Sequence, residues 1–261
     1  MIYVTSDNHG RYKELASLLK TVNFSNDDEL IIAGDLLDRF SDINGLINLL
    51  RKPNVTLVRG NHEELMLKAH RSFNLLSFFE EGKFEQQALK RLKVYNDYSM
   101  MQSIVNDNMD LYLWFYNGGL VTLSNISKED LEYFIECCEK SPYYVTRGNT
   151  LITHAGAGVG YMFKCENIDD VVKKLKCDDS DNGVLWDKQF YNIVYLHSIS
   201  KMEKLPCSVV FGHTGNVNEV MKIGENFIVN LNGLRNSSVN LFCIDTQKLY
   251  KLTVTFDTTE V

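Results

Sequence analysis

Short apolar runs rich in β-branched residues recur along the chain, at residues 2–5, 30–33, 55–58, 151–153 and 208–211, and each breaks off at once into polar residues. Runs of this length with polar ends predict buried strands. Between them, Leu15, Leu18, Leu19 and Val22, and then Ile43, Leu46, Ile47 and Leu50, recur at the spacing that gives a helix one apolar face. Strand and helix in alternation predict an α/β fold. Towards the end of the chain, residues 227–231, 239–245 and 249–256 predict three further strands. The last two are joined by a short turn at Thr246 and Gln247 and are therefore antiparallel.

From Glu64 to Tyr116 the pattern turns helical and aromatic, with Phe73, Phe78, Phe79, Phe84, Tyr95, Tyr98, Tyr112, Trp114 and Phe115. This predicts a helical insertion, residues 64–116, within one domain spanning 1–261. Large rings ordinarily serve core packing; a wall of a substrate cleft is the competing use. No internal repeat, no low-complexity tract and only three prolines leave no linker between independent domains.

A chain of 261 residues with 44% hydrophobic and 23% charged side chains can bury its own core without staples, which sets aside disordered and fibrous readings. The net charge of −7 gives no polycationic footprint for a nucleic acid, so an anionic substrate would have to be held locally. Cys137, Cys138, Cys165, Cys177, Cys207 and Cys243 show no CxxC pair and read as reduced thiols, the usage expected in a cytoplasmic protein. The N-terminal run meets Asp7 too soon for a signal peptide, and no apolar run nears the ~20 residues of a membrane span.

The chemistry sits where the strands stop. Behind the five runs come Asp7-Asn8-His9-Gly10, Gly34-Asp35-Leu36-Leu37-Asp38-Arg39, Arg59-Gly60-Asn61-His62-Glu63, His154-Ala155-Gly156 and Gly212-His213-Thr214. Loops beyond the carboxyl ends of strands line the crevice of open α/β sheets, so residues far apart in sequence can converge there. Any one of these histidines alone is more simply structural; five such tails together indicate a site. Imidazole, carboxylate and amide ligands without thiolate suit Mn, Fe, Zn, Co or Ni. His70 and His197 fall outside the tails and read as surface or packing residues, and the glycine-rich stretch at residues 156–160 reads as a mobile loop.

The series DxHG, GDxxDR, GNHE, HAG and GHT resembles the calcineurin-like metallophosphoesterases, and within them the phosphoprotein phosphatases. Trp114-Phe115-Tyr116-Asn117-Gly118-Gly119 resembles a stretch of their bacterial and phage members. The resemblance implies a metallophosphoesterase-like α/β sandwich of mixed sheets flanked by helices. It also implies a centre of two divalent cations, manganese foremost, in which Asp7 and His9 hold one ion, Asp35 bridges both, and Asn61, His154 and His213 hold the second. His62 would be the general acid oriented by Asp38, Arg39, Arg59 and Lys188 the phosphate contacts, and Asn8 and Glu63 positioning residues. Two cations about 3.5–4 Å apart would activate a water for in-line attack on phosphate.

Where the pattern departs from the family, Lys188 follows Trp186-Asp187 in place of an arginine, giving a point charge without a bidentate fork. Phe40 follows Arg39 where glycine is usual, Gly215 follows Thr214 where proline is common, and Asn230-Leu231-Asn232-Gly233 replaces an Asp-Thr-Gly stretch. The expected activity is a metal-dependent phosphomonoester hydrolase acting on phosphoserine or phosphothreonine in proteins, or on a small phosphoester. A symmetrical dinucleoside tetraphosphate hydrolase is the first alternative and a non-catalytic phosphate-binding scaffold the second. The oligomeric state stays open.

Overall fold

The computed structural model describes residues 1–80, 108–158, 162–177, 183–196, 204–215, 219–233 and 237–253. Strands β1 (Ile2–Thr5), β2 (Glu29–Ala33) and β3 (Val55–Val58) pair in parallel, with Val4 opposite Ile31 and Ile31 opposite Thr56. β9 (Ser238–Cys243) runs antiparallel beside β1 and β10 (Lys248–Thr253) beside β9, giving a mixed sheet of order β10-β9-β1-β2-β3. A second mixed sheet has the order β4-β5-β6-β8-β7, formed by β4 (Tyr144–Arg147), β5 (Thr150–Thr153), β6 (Ser208–Phe211), β7 (Val220–Ile223) and β8 (Asn226–Asn230).

The two-residue period of the strands explains how these sheets meet. Val4, Ile31, Ala33 and Val58 point to one face and pack with Ile152, Val210, Phe227 and Val229 of the other sheet. Tyr3, Leu30, Ile32 and Leu57 point the opposite way, into a core with the helices. That core takes the apolar faces of α1 (Tyr12–Thr21), α2 (Asn44–Leu50) and α3 (Asn61–Phe73), then a 3₁₀ turn at Leu75–Phe79. It also takes α4 (Met109–Trp114), a helical turn at Phe115–Gly119 kinked at Gly118, α5 (Leu120–Asn125) and α6 (Lys128–Lys140). On the far side, Leu151, Val209, Phe211 and Ile228 pack with α7 (Ile168–Lys174) and α8 (Lys188–Tyr191). The result is the expected α/β sandwich of two mixed sheets between helices.

Two strands escaped the sequence pattern. β4 and β7 are edge strands, and both are only partly buried, so neither carries a continuous apolar run. The expected run 249–256 is described as far as Thr253. Within residues 64–116, α3 starts three residues before Glu64, inside the Gly60-Asn61-His62 loop. Phe78, Trp114 and Phe115 are core residues, whereas Phe84, Tyr95 and Tyr98 lie outside the described residues. No helix among the described residues is long and apolar enough to cross a membrane.

Candidate active site

Since β1, β2 and β3 are parallel, as are β5 and β6, their following loops leave the sheets on shared edges, and backbone bonds sew them together. Asp7, His9 and Gly10 donate their N–H groups to the carbonyls of Gly34, Asp35 and Leu36 at 3.1, 3.0 and 2.9 Å, and Gly212 donates to that of His154 at 2.7 Å. Asp7, His9, Asp35, Asp38, Arg39 and His213 all have left-handed backbones, φ between +49° and +70°. They are six of the ten non-glycine residues with positive φ among those described. Such strain costs roughly 1–3 kcal/mol per residue and gathers where a site demands a fixed geometry. Gly34 allows a close approach: a side chain there would sit 2.5 Å from Cα of Gly60 and 2.6 Å from Nδ1 of His154.

Asp35 stands at the centre. Its Oδ1 is 3.3 Å from Nε2 of His154, and its Oδ2 is 3.5 Å from Nε2 of His9 and 3.8 Å from Nε2 of His62. His9, Asp35 and His62 form one group of converging ligand atoms, and Asp35, His154 and His213 form another. Asn61 joins the second group, its Oδ1 lying 2.8 Å from His154 Nε2 and 2.9 Å from His213 Nδ1. Asp7 borders the first: its Oδ1 is 4.0 Å from His9 Nε2, while Oδ2 accepts from Ser6 Oγ and the His213 amide.

These donors fit divalent cations. His9 Nδ1 donates to the Leu37 carbonyl at 3.0 Å and His154 Nδ1 to that of Ala33 at 2.9 Å, which turns the lone pair of each Nε2 inward. Among the described residues, the buried Nε2 atoms of His9 and His213 have no hydrogen-bond partner. His154 Nε2 faces two further acceptors, Asn61 Oδ1 and Asp35 Oδ1, an arrangement that a cation reconciles. Burial, then the Asp35 charge, push the Asp7 carboxyl above its usual range against the pull of His154. Burial works the same way on Asp35, but the four histidines around it, His154 foremost, overturn it and hold the carboxyl well below that range. Burial and the neighbouring imidazole of His154 bring His213 down to about 3, leaving a neutral ring suited to ligation.

Beside this cluster, His62 Nδ1 lies 2.8 Å from Asp38 Oδ2. Its Nε2 lies 3.0 Å from Nη2 of Arg39; a guanidinium only donates, so Nε2 accepts and the ring proton sits on Nδ1, towards Asp38. Burial opposes a charge on His62, yet Asp35 and Asp38 together raise its pKa. Glu63, the next residue, is fully inside and accepts the N–H groups of Asp35, Leu36 and Gly60 at 2.9, 2.9 and 2.8 Å. Asn8 is buried and donates to Thr5 Oγ1 at 3.0 Å.

A cleft of about 280 Å³ opens over the cluster, and Asp7, His9, Asp35, Asn61 and His213 line it together with Arg39 and Lys188. Arg59 is the exception among the expected phosphate contacts. Its guanidinium is buried behind the site, donating to Glu64 Oε2, Tyr143 Oη and the carbonyls of Cys138 and Glu139. The chain turns Arg59 away because the end of α6 offers unpaired carbonyls there, so the expectation of a phosphate contact is corrected. The glycine-rich stretch is held rather than free at its start: Gly156 N–H donates to Thr153 Oγ1 and Gly158 N–H to Asp187 Oδ2, both at 3.1 Å. His70 accepts the Leu75 N–H at 3.2 Å, a packing role, and His197 lies outside the described residues.

Sequence reasoning passed over two residues at the site. Trp114 Nε1 donates to Asp38 Oδ2 at 3.3 Å, and the Thr122 hydroxyl to Asp38 Oδ1 at 2.6 Å. Trp114 is in a quoted motif, but no local signal marks Thr122, 84 residues from its partner.

Two curated relatives match in part. Serine/threonine-protein phosphatase 1 of Salmonella typhimurium is 39% identical over 72 residues, 27% of this chain and 33% of the relative. Serine/threonine-protein phosphatase 2 of Escherichia coli is 34% identical over 118 residues, 41% of this chain and 54% of the relative. The matches thus span about a third to half of those relatives' lengths. A crystal structure described as a putative diadenosine tetraphosphatase shares the fold at a TM-score of 0.52 and 18% identity, over 96% of this chain and 92% of that one. Residues 1–243 match the calcineurin-like phosphoesterases, and with a metal-ready cluster at the ends of its strands the chain belongs to that family.

Proposed function

We propose that this chain is a metal-dependent phosphomonoester hydrolase that removes phosphate from phosphoserine or phosphothreonine in proteins. The observation that carries the reading is the pair of ligand groups sharing Asp35 at the floor of a cleft that also presents Arg39 and Lys188. Asp7, His9 and Asp35 would hold one cation and Asp35, Asn61, His154 and His213 the other, with manganese the first choice for this donor set. Bound there, the pair would supply Lewis-acid polarisation of the phosphate and an activated water.

The protein's own groups do the rest. Arg39 is exposed at the rim, and its planar fork suits two phosphate oxygens. When the guanidinium turns to the phosphate it frees His62 Nε2, which it otherwise occupies at 3.0 Å. His62, held by Asp38 at Nδ1, then takes a second proton from solvent at the freed Nε2, which its raised pKa favours, and passes it to the departing oxygen. Lys188 adds a point charge to the lining of the cleft.

The names of the curated relatives support a protein substrate. So does the segment that runs up to Asn117, which lines the cleft: Met109, Leu113 and Tyr116 are exposed apolar side chains along it. They offer a peptide more than they offer a second nucleotide. The cysteines, none of them in a disulfide among the described residues, fit a cytoplasmic setting. The test compares kcat/KM of manganese-loaded protein for a phosphothreonine peptide and for diadenosine tetraphosphate. A preference for the peptide is expected, the reverse order would assign the dinucleotide instead, and turnover of neither would leave a phosphate-binding scaffold.

A further inference from the structure

We propose that Thr122 and Trp114 are positioning residues for His62: together they fix Asp38 so that it holds the imidazole with Nε2 towards the cleft. The inference rests on the reading of His62 as the proton donor.

Asp38 is buried, 3% exposed, on a left-handed backbone of φ +70°. Its carboxylate has three neighbours that donate. Oδ2 lies 2.8 Å from His62 Nδ1 and 3.3 Å from Trp114 Nε1, and Oδ1 lies 2.6 Å from Thr122 Oγ1. An indole nitrogen can only donate. The Thr122 oxygen already accepts the backbone N–H of Asp38 at 2.9 Å, so its one proton is committed to Oδ1. One hydroxyl thereby closes a ring between the amide and the carboxylate of the same residue, which fixes the Asp38 rotamer against its strained backbone. Thr122 takes Oδ1 and Trp114 one side of Oδ2, which leaves the other side of Oδ2 for His62 Nδ1–H. The ring proton is drawn to that side, and Nε2 is turned towards Arg39 and Asp35, both of which line the cleft.

All of this comes from one sequence-remote unit. Trp114 ends α4, Thr122 lies in α5, and both are buried. The kink between the two helices brings Gly118, at φ +106°, against the backbone of Arg39, where a side chain would meet the amide nitrogen at 2.8 Å. Here it lets one helical unit reach Asp38 from two sides while admitting Arg39 between. A purely structural role would require only that the segment pack, which its apolar side chains already achieve.

Thr122→Val, Thr122→Ser and the double variant Trp114→Phe/Thr122→Val separate the two roles, with His62→Asn as the reference. On manganese-loaded protein, kcat is measured along a series of phosphate monoesters from acidic aryl to alkyl leaving groups. Loss of a hydrogen bond to a buried carboxylate predicts about a tenfold or greater fall for alkyl esters in Thr122→Val. KM should hold, acidic aryl esters should fall little, and Thr122→Ser should recover. An equal fall on every ester, or no fall where His62→Asn does discriminate, would overturn the proposal. A second readout needs neither metal nor turnover: ¹⁵N NMR of the His62 ring at one fixed pH. Wild type should show the proton on Nδ1, and the double variant, with melting temperature confirming its fold, should shift population towards Nε2. An unchanged ring spectrum would overturn the positioning role even if the protein turns over no monoester, an outcome that would instead remove the proposed function.

Discussion

Glu63 Oε2 accepts the backbone N–H of Asp35 at 2.9 Å, so a carboxylate on the first turn of α3 holds the residue on which both ligand groups converge. Its other contacts, with Leu36 and Gly60, tie the second and third loops to each other. Glu63→Ala strands three buried donors and should cost about 3–5 kcal/mol in urea unfolding. Glu63→Gln, which keeps one oxygen, should cost less. Stability of the alanine variant within about 1 kcal/mol of wild type would show that these contacts are dispensable.

Arg59 should matter for stability and not for phosphate. It joins the loop before α3 to the carbonyls at the end of α6, and its own amide donates to the Pro142 carbonyl at 2.8 Å. Arg59→Lys is expected to lower the melting temperature by several degrees while KM stays at the wild-type value. A raised KM with an unchanged melting temperature would return Arg59 to the phosphate.

Lys188 lines the cleft as a single point charge. Lys188→Arg should bind inorganic phosphate more tightly, on the order of a few-fold in the inhibition constant, because a planar fork can donate two parallel bonds. No change, or weaker inhibition, would show that Lys188 does not reach the phosphate oxygens.

Thiol labelling probes the interior. Cys177 is exposed, whereas Cys138, Cys207 and Cys243 are buried. Burial pushes the Cys207 thiol up to about 12. At neutral pH Cys177 should react first with a disulfide reagent and Cys207 only after unfolding; fast labelling of Cys207 in the native protein would contradict its placement.

The strands and the ligand series were legible because the same local rule produced both: an apolar run, then a glycine-punctuated polar tail. The sandwich followed from alternation, with Val4 and Ile31 on one face and Tyr3 and Leu30 on the other. What stayed hidden was tertiary. β4 and β7 lie at sheet edges and lack an apolar run. Arg59 sits in a site motif, yet its direction depends on where α6 ends. Thr122 carries no motif at all, and its tie to Asp38 exists only once α5 has packed.

The central claim is that Asp35 serves two cations at once, and metal content tests it most directly. Wild type and Asp35→Asn, equilibrated with the same Mn²⁺ and analysed by calorimetry and elemental analysis, should differ sharply. Wild type is expected to hold about two ions per chain and the variant to lose both, since the substitution keeps the shape and removes the shared charge. Two ions retained at near-wild-type affinity in Asp35→Asn would contradict the account.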